Sequence, residues 1–439
     1  MRFLLLIVLL TSFTSSQDVW NFSENTSFSI FHQYDIVGKY ILLSKNGTDP
    51  DNSIGKLSTF ENENYYKLGL KFRNSFCKIN AKAINETHFN WLKKDGDYNL
   101  TKNTSLDLSE WAIEIFDPAQ FFCVGYGKQV KLWGPSLFIS PSNPFFYDNG
   151  QSNPFLEQKG SEFGFLRINT NLITTEVLIN TNNRNANKIY SQFRQSVAIR
   201  TQFSTDRASG GIISSIRSSS KKWSNLDFRD DATSLGVYAQ FTLNDAILLY
   251  TDIGVRNHLP GFYPKYIDSL SVWSFDATYL NSSKYFGNGV LGFSYTFPFG
   301  ATVNLEYYRN QEGYNKQQNT KLKKIIDDAG KLIQSPDDMM QSYGGFLYSQ
   351  LNDLKLRTRS KNYIFCQYSQ RELFDGFSVV LRSTVNIVDG SFQVNPIITY
   401  YATKKIRFEL VNPVEFGSKN SEYGSWVRSI TFLGTRFYL

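Results

Sequence analysis

The chain has 439 residues and a formal net charge of +7; 41% of it is hydrophobic and 16% aromatic, with 37 Phe and 26 Tyr but only 3 Met and 3 Cys. Beyond the first ten positions no apolar run approaches the roughly 20 residues of a spanning helix, which excludes a helical membrane bundle, and so much Tyr, Phe, Ile, Leu and Val excludes a disordered chain. A mean hydropathy of -0.32 with that aromatic content describes alternation, one greasy and one polar face on β-strands.

Residues 1–16, MRFLLLIVLLTSFTSS, read as a secretory signal peptide, with one charge at Arg2, an apolar core from Phe3 to Leu10, and small residues at Thr14 and Ser16. The mature chain is expected to begin near Gln17. Strands are read near 28–43, 64–84, 109–116 and 120–132. The segment Gly127 to Gly134 (GKQVKLWG) then runs into Pro135, Pro141 and Pro144. Proline cannot donate to a central ladder, so the chain leaves the sheet and a folded loop is expected over 133–160. Strands near 163–169, 172–180, 190–203 and 208–217 follow.

The clearest hairpin alternates Leu235, Val237, Ala239, Phe241 and Leu243 with polar or small residues, turns at Asn244–Asp245, and resumes through Ile247, Leu249, Thr251, Ile253 and Val255. A second runs through Leu291, Phe293, Tyr295 and Phe297, turns at Pro298 to Gly300, and returns through Val303, Leu305 and Tyr307. With a strand near 268–280, an odd number separates these two turns, so one strand between 256 and 285 is hidden or misread. Gln311 to Ser342 is the longest loop between confident strands, and Leu322, Ile325, Ile326, Ala329 and Ile333 form a helical stripe within it, covering the mouth or packing on the rim. Strands are read near 343–351 and 354–369. A third hairpin uses Val379 to Ile387, the turn Asp389–Gly390, and a return from Phe392. Even positions keep one face from Phe392 to Leu410, and a periplasmic C-terminus requires 391–410 to be one strand. The chain ends with Thr431, Leu433, Thr435, Phe437 and Leu439 on one face, an amphipathic terminal strand.

Strands of about 9 to 12 residues with this alternation are the signature of an all-β, transmembrane antiparallel up-and-down β-barrel; soluble sandwich strands are shorter. The expected count is 16 to 18 strands in a single domain over 17–439, wide enough for an aqueous lumen. Gly127, Lys128, Gln129, Trp133 and Gly134 resemble the strand and folded loop of Gram-negative outer-membrane porin-like families, with Lys128 where Arg is more usual. That resemblance implies a bacterial outer-membrane location and a channel for passive diffusion of small hydrophilic solutes, anionic ones included. Lys128, Trp133 and Gly134 are then candidates for the loop constriction, the other reading being that Trp133–Gly134 shapes an interfacial turn. The alternative function is a non-conducting barrel acting in envelope assembly, polysaccharide attachment or adhesion through its external loops. Expected partners are outer-membrane lipids, the assembly machinery and solutes, with the oligomeric state open.

Phase assigns candidate pore-lining cations. With Leu68, Leu70 and Phe72 facing lipid, Lys67, Lys71 and Arg73 face the lumen; Arg194, Arg200, Arg382 and Arg407 follow by the same step, against fewer acids at Asp252, Glu306 and Glu409. The basic balance does not signal nucleic acid, since no DNA-binding motif accompanies it; anionic headgroups or solutes suit it better. No cofactor or metal motif is present. His32, His88 and His258 are far apart, and Ser152 lacks a nearby His, so no enzyme is expected. Cys77, Cys123 and Cys366 are too few for a disulfide framework, leaving a Cys77–Cys123 bridge or three small strand residues. Seven Asn-x-Ser/Thr sequons, including those at Asn21, Asn46 and Asn85, are expected by chance in so Asn-rich a chain.

Overall fold

The computed structural model describes residues 18–438 except 24–25, 46–56, 95–96, 147–153, 156–157, 181–195, 218–219, 224–225, 230–231, 258–261, 269–271, 278–284, 353–357 and 419–420. The signal-peptide reading and the calls on Asn46, Ser152, Arg194, His258 and Leu439 lie outside the described residues.

The first half of the chain contributes β1 (Asp18–Ser23), β2 (Thr26–Leu43), β3 (Phe60–Arg73), β4 (Cys77–Lys94), β5 (Asp97–Phe116), β6 (Phe122–Gln129), β7 (Ser161–Asn169), β8 (Ile173–Asn180), β9 (Ser196–Ser204), β10 (Ala208–Arg217), β11 (Ser220–Trp223) and β12 (Leu226–Arg229). The second contributes β13 (Ala232–Asn244), β14 (Ile247–Arg256), β15 (Phe262–Ile267), β16 (Val272–Ala277), β17 (Phe286–Thr296), β18 (Thr302–Asn310), β19 (Asn362–Phe374), β20 (Phe377–Asn386), β21 (Phe392–Tyr401), β22 (Ile406–Val411), β23 (Val414–Phe416) and β24 (Val427–Tyr438). Two helices, Lys316–Ile333 and Asp338–Asn352, stand between β18 and β19.

Consecutive wall strands pair antiparallel, and β24 pairs with β2 from Gln33↔Tyr438 to Leu43↔Val427, which closes the sheet on itself. β22 and β23, interrupted at Asn412–Pro413, share one place; β1 pairs with β2 from Asp18↔Ile30, beyond the end of β24. The ring therefore has 18 places, the upper end of the expected range. The hairpins β11–β12 and β15–β16 stand outside it.

Alternation sets the two faces. On β13, Leu235, Val237 and Phe241 are exposed outward while Tyr238 is buried inward; on β14, Ile253 is exposed and Asp252 fully buried. A ring of outward Leu, Ile, Val and Phe is the surface that lipid solvates and water does not. Among the described residues no helix is long and apolar enough to cross a membrane.

Short turns close one end, capped by side chains. Asn74 accepts from the amides of Phe76 and Cys77, Asn244 from those of Ala246 and Ile247, and the Thr403 hydroxyl from those of Lys405 and Ile406. The Asn74 and Thr403 turns correct the strand reading. The segment 64–84 holds a turn at Asn74, and 391–410 is two strands joined through 402–405. The pairing Tyr400↔Phe408 joins two even positions, so the apolar phase passes through the turn unchanged and cannot reveal it. The reading near 268–280 falls at the β15–β16 hairpin, outside the wall. With it removed, two wall strands, β14 and β17, lie between the Asn244 and Pro298 turns, which settles the count.

The segment 343–351 is helical. Leu347 and Tyr348 are buried among residues spaced three and four apart, a 3.6-residue period that Tyr and Phe content disguises as strand. The first helix carries a capping box, Asn315 accepting from the Gln318 amide and the Gln318 side chain accepting from the Asn315 amide. Its stripe, Leu322, Ile325, Ile326 and Ala329, is buried, and Leu322 and Ile326 pack with Tyr263 and Phe275 of the β15–β16 hairpin. All three cysteines are free.

Candidate functional site

The chain leaves β6 at Gln129, turns into the barrel and returns to β7 at Ser161. Two wall carboxylates hold the loop. Glu306 on β18 accepts from the amides of Leu137 (2.5 Å) and Phe138 (3.0 Å), from the Ser136 hydroxyl (3.2 Å) and from the Tyr250 hydroxyl (2.9 Å). Asp252 on β14 accepts from the Ser142 amide (2.7 Å) and the Ser140 hydroxyl (2.7 Å). Loop amides that would be unsatisfied inside the barrel thus find charged acceptors, the stronger class of hydrogen bond.

Glycine makes the approach possible at two points. Gly134 adopts φ +89, and a β-carbon there would overlap the Asp252 carboxylate; at Gly254 a β-carbon would overlap the Pro141 carbonyl. Between these points the loop buries Trp133, Phe145 and Phe146 against inward Phe163, Phe165, Leu178, Ala198, Ile213 and Tyr238. Each such side chain contributes about 1.5–3 kcal/mol of burial. Further along, Phe155 packs with Val37, Tyr65, Ile84, Ile397, Val411 and Phe432, and the Pro154 carbonyl accepts from Arg436 at 3.2 Å. The loop therefore reaches both the β14–β18 wall and the seam where β24 meets β2.

Inward charges elsewhere are largely paired. At the seam, Asp35 meets Lys67 at 3.0 Å and Arg436 at 2.7 Å, while Glu409 meets Arg407 at 2.9 Å and Arg436 at 3.6 Å. On the opposite wall, Glu176 binds loop Lys131 at 3.0 Å and Arg167 at 2.9 Å.

The sequence-derived pore-lining set divides accordingly. Lys67 and Arg407 are inward but locked in ion pairs. Arg200 lies over the Trp133 ring, 5.2 Å from its centroid, and Arg382 donates to Gln367 at 2.8 Å; the Arg200 Nε and an Arg382 Nη are buried without a hydrogen-bond partner among the described residues. Lys71 and Arg73 share the inward phase of Lys67 and are exposed near the short-turn end. Trp133 and Gly134 are central to the infolded loop. Lys128 is not part of it: it pairs with Trp111 in register, shares the outward phase of Val124 and Tyr126, and binds Asp107 at 3.0 Å and the Leu108 carbonyl at 2.7 Å. That placement corrects its assignment to the constriction, since β6 keeps strict alternation up to Gln129. On β24, Phe437 faces outward and stacks on Tyr34. His32 meets the Tyr66 hydroxyl at 2.9 Å, and His88 lies 3.7 Å from Glu63.

Sequence reasoning missed the loop anchors, placing Asp252 and Glu306 only as lumenal acids. Inward Phe163 and Phe165 were the available signal, because an aqueous lumen does not call for two phenylalanines on one strand's inner face.

At the long-loop end of the barrel, Glu312 binds Arg256 at 2.8 Å, Tyr314 donates to the Phe262 carbonyl, and Tyr348 of the second helix packs edge-on against Trp426, with centroids 5.1 Å apart. The helical loop, which extends through 361, is thus tied to the chain just before β24.

No protein-family model matches the chain, and no curated protein matches it. Among solved structures it is similar to Pseudomonas aeruginosa OccK7 (11% identity, 94% of this chain and 99% of that one, TM-score 0.48) and to Pseudomonas aeruginosa OprD (9%, 97% and 97%, TM-score 0.47). It is also similar to Salmonella typhi OmpF in complex with daunomycin (13%, 96% and 99%, TM-score 0.44).

Proposed function

We propose that the chain is a bacterial outer-membrane channel for passive diffusion of small hydrophilic solutes, with a preference for anions. The observation that carries this reading is the loop held inside a closed 18-strand barrel by Asp252 and Glu306. Rings of this size enclose an aqueous lumen, and a loop fixed to one wall by backbone amides narrows such a lumen to a defined aperture.

The anion preference rests on a balance of partners. The acids Asp35, Glu176 and Glu409 are bound by cations, and Asp252 and Glu306 are turned behind the loop, whereas among the described residues Arg200 and Arg382 each retain a guanidinium nitrogen without a hydrogen-bond partner. Fixed cations without counter-charges raise the local anion concentration. Reversal potentials under a KCl gradient test this: chloride selectivity that falls when Arg200 and Arg382 are both replaced by Gln is expected, and cation selectivity of the unmodified protein would overturn it. One observation favours a non-conducting, partner-binding barrel instead, the exposed Met339, Met340 and Phe346 on the second outer helix. Absence of any current would favour that reading.

A further inference from the structure

Between β14 and β17 the hairpin β15–β16 stands outside the wall, and the first helix, Lys316–Ile333, lies on it. Leu322 and Ile326 of the helix pack with Tyr263 and Phe275 of the hairpin. That contact fixes the helix's rotation and brings two of its lysines over Trp273, the Lys321 Nζ lying 5.5 Å and the Lys324 Nζ 5.7 Å from the ring centroid. The ring is itself braced by Tyr266, with centroids 5.2 Å apart. Lys321, Lys324 and Tyr266 are exposed.

Lysines three apart on a helix share a face and repel one another, yet here both are gathered on one ring, whose π-face attracts each cation and limits its rotation. Neither has a counter-charge: among the described residues no carboxylate comes within ion-pair distance of Lys316, Lys321, Lys323 or Lys324, whereas Lys331 farther along pairs with Asp328 at 3.8 Å. From Lys316 to Ile326 the helix carries four lysines and no acid. Its first turn has no acidic residue and begins at Lys316, where the helix dipole disfavours a cation. Helix stability therefore does not account for the cluster.

We propose that Lys321 and Lys324, held on Trp273, form a binding site for a phosphate group at the long-loop end of the barrel. Two adjacent ammonium groups, each with three donors, match one dianion whose oxygens accept from both. A dianion also gains more from such a pair than chloride does. The side chains are gathered before the ligand arrives, so less rotamer entropy is lost on binding than for two free lysines. Lys316 and Lys323, on the same half of the helix, add positive potential around the site. The ligand is a phosphorylated small solute or a phosphorylated headgroup of the surrounding lipid, and the chemistry recognised is the same. The site stands outside the lumen and does not depend on conduction.

The test measures binding of radiolabelled inorganic phosphate to the detergent-solubilised full chain by equilibrium dialysis at about pH 8, where phosphate carries close to two charges. The expected result is saturable binding at a single class of site, displaced far better by phosphate esters than by chloride at equal ionic strength, and weakened about tenfold or more in K321Q/K324Q. W273L, which keeps both cations and removes the ring that gathers them, is expected to weaken binding severalfold, and K331Q to leave it unchanged. The fast-migrating form of each variant on unheated gels shows that its barrel has folded. No saturable binding, equal displacement by chloride, or wild-type binding in folded K321Q/K324Q or W273L would overturn the site. Displacement by a soluble sugar phosphate assigns the site to solutes, and displacement only by micelles of a phosphorylated glycolipid assigns it to the headgroup.

Discussion

On β14 and β18, Asp252 and Glu306 accept hydrogen bonds from the amides and hydroxyls of the infolded loop, whereas on β2 and β22, Asp35 and Glu409 are bound by Lys67, Arg407 and Arg436. All four carboxylates face the same interior. At the seam the partners are cations on neighbouring strands, so the acids balance charge and lock β2, β3, β22 and β24 together. On the far wall the partners are backbone donors more than a hundred residues away in sequence, and the acids position a loop. An inward acid thus acquires its role from the donor that reaches it, and strand phase alone supplies only the direction.

The largest consequence of that contrast is at the seam. Asp35→Ala leaves Lys67 and Arg436 buried without their shared counter-ion, a change that costs about 3–5 kcal/mol. A lowered urea midpoint for loss of the folded barrel's fast-migrating form on unheated gels measures it; an unchanged midpoint would mean that the pairs do not hold the closure. Next is the lipid face of the same strand. Leu433→Arg, at the middle of β24 and fully outward, is expected to cost about 2–4 kcal/mol, against about 0–1 for Phe437→Arg near the interface. Equal effects at the two positions would show that the strand sits at a different depth.

The loop wall responds more locally. Gly134→Val places a β-branched residue at φ +89 against Asp252, costing about 1–3 kcal/mol in the loop, and should admit protease within 130–160 while the barrel stays closed. Resistance equal to wild type would contradict the anchoring. The smallest effect is at Arg382, where replacement by Gln should reduce the chloride-to-potassium permeability ratio on the order of twofold. No change would leave the selectivity to other groups.

Much of this architecture was legible because alternation survives any amount of looping. The Leu235 and Leu291 hairpins, the outward face of the last strand and the inward phase of Lys67, Arg200, Arg382 and Arg407 all follow from the two-residue period. Phase runs unchanged through both Asn244–Asp245 and Ala402–Lys405, so only turn chemistry could reveal them: Asn-Asp is a turn dipeptide, whereas Ala-Thr-Lys-Lys carries no such signal. Lys128 misled for a different reason: its neighbours Trp133 and Gly134 belong to the loop, but β6 continues past it with its side chain outward. The hydrogen bonds from Leu137 and Phe138 to Glu306 were illegible, since backbone amides carry no sequence signature and their acceptor lies far along the chain.

The central claim is that Asp252 and Glu306 hold a loop that narrows an open lumen. Single-channel conductance of the wild-type protein and of the double variant Asp252→Ala, Glu306→Ala in planar bilayers tests it most directly. The account predicts that both conduct, and that the variant, with its loop amides left without charged acceptors, shows larger and noisier steps with weaker ion selectivity. Identical steps in the two proteins, or no current from either, would contradict it.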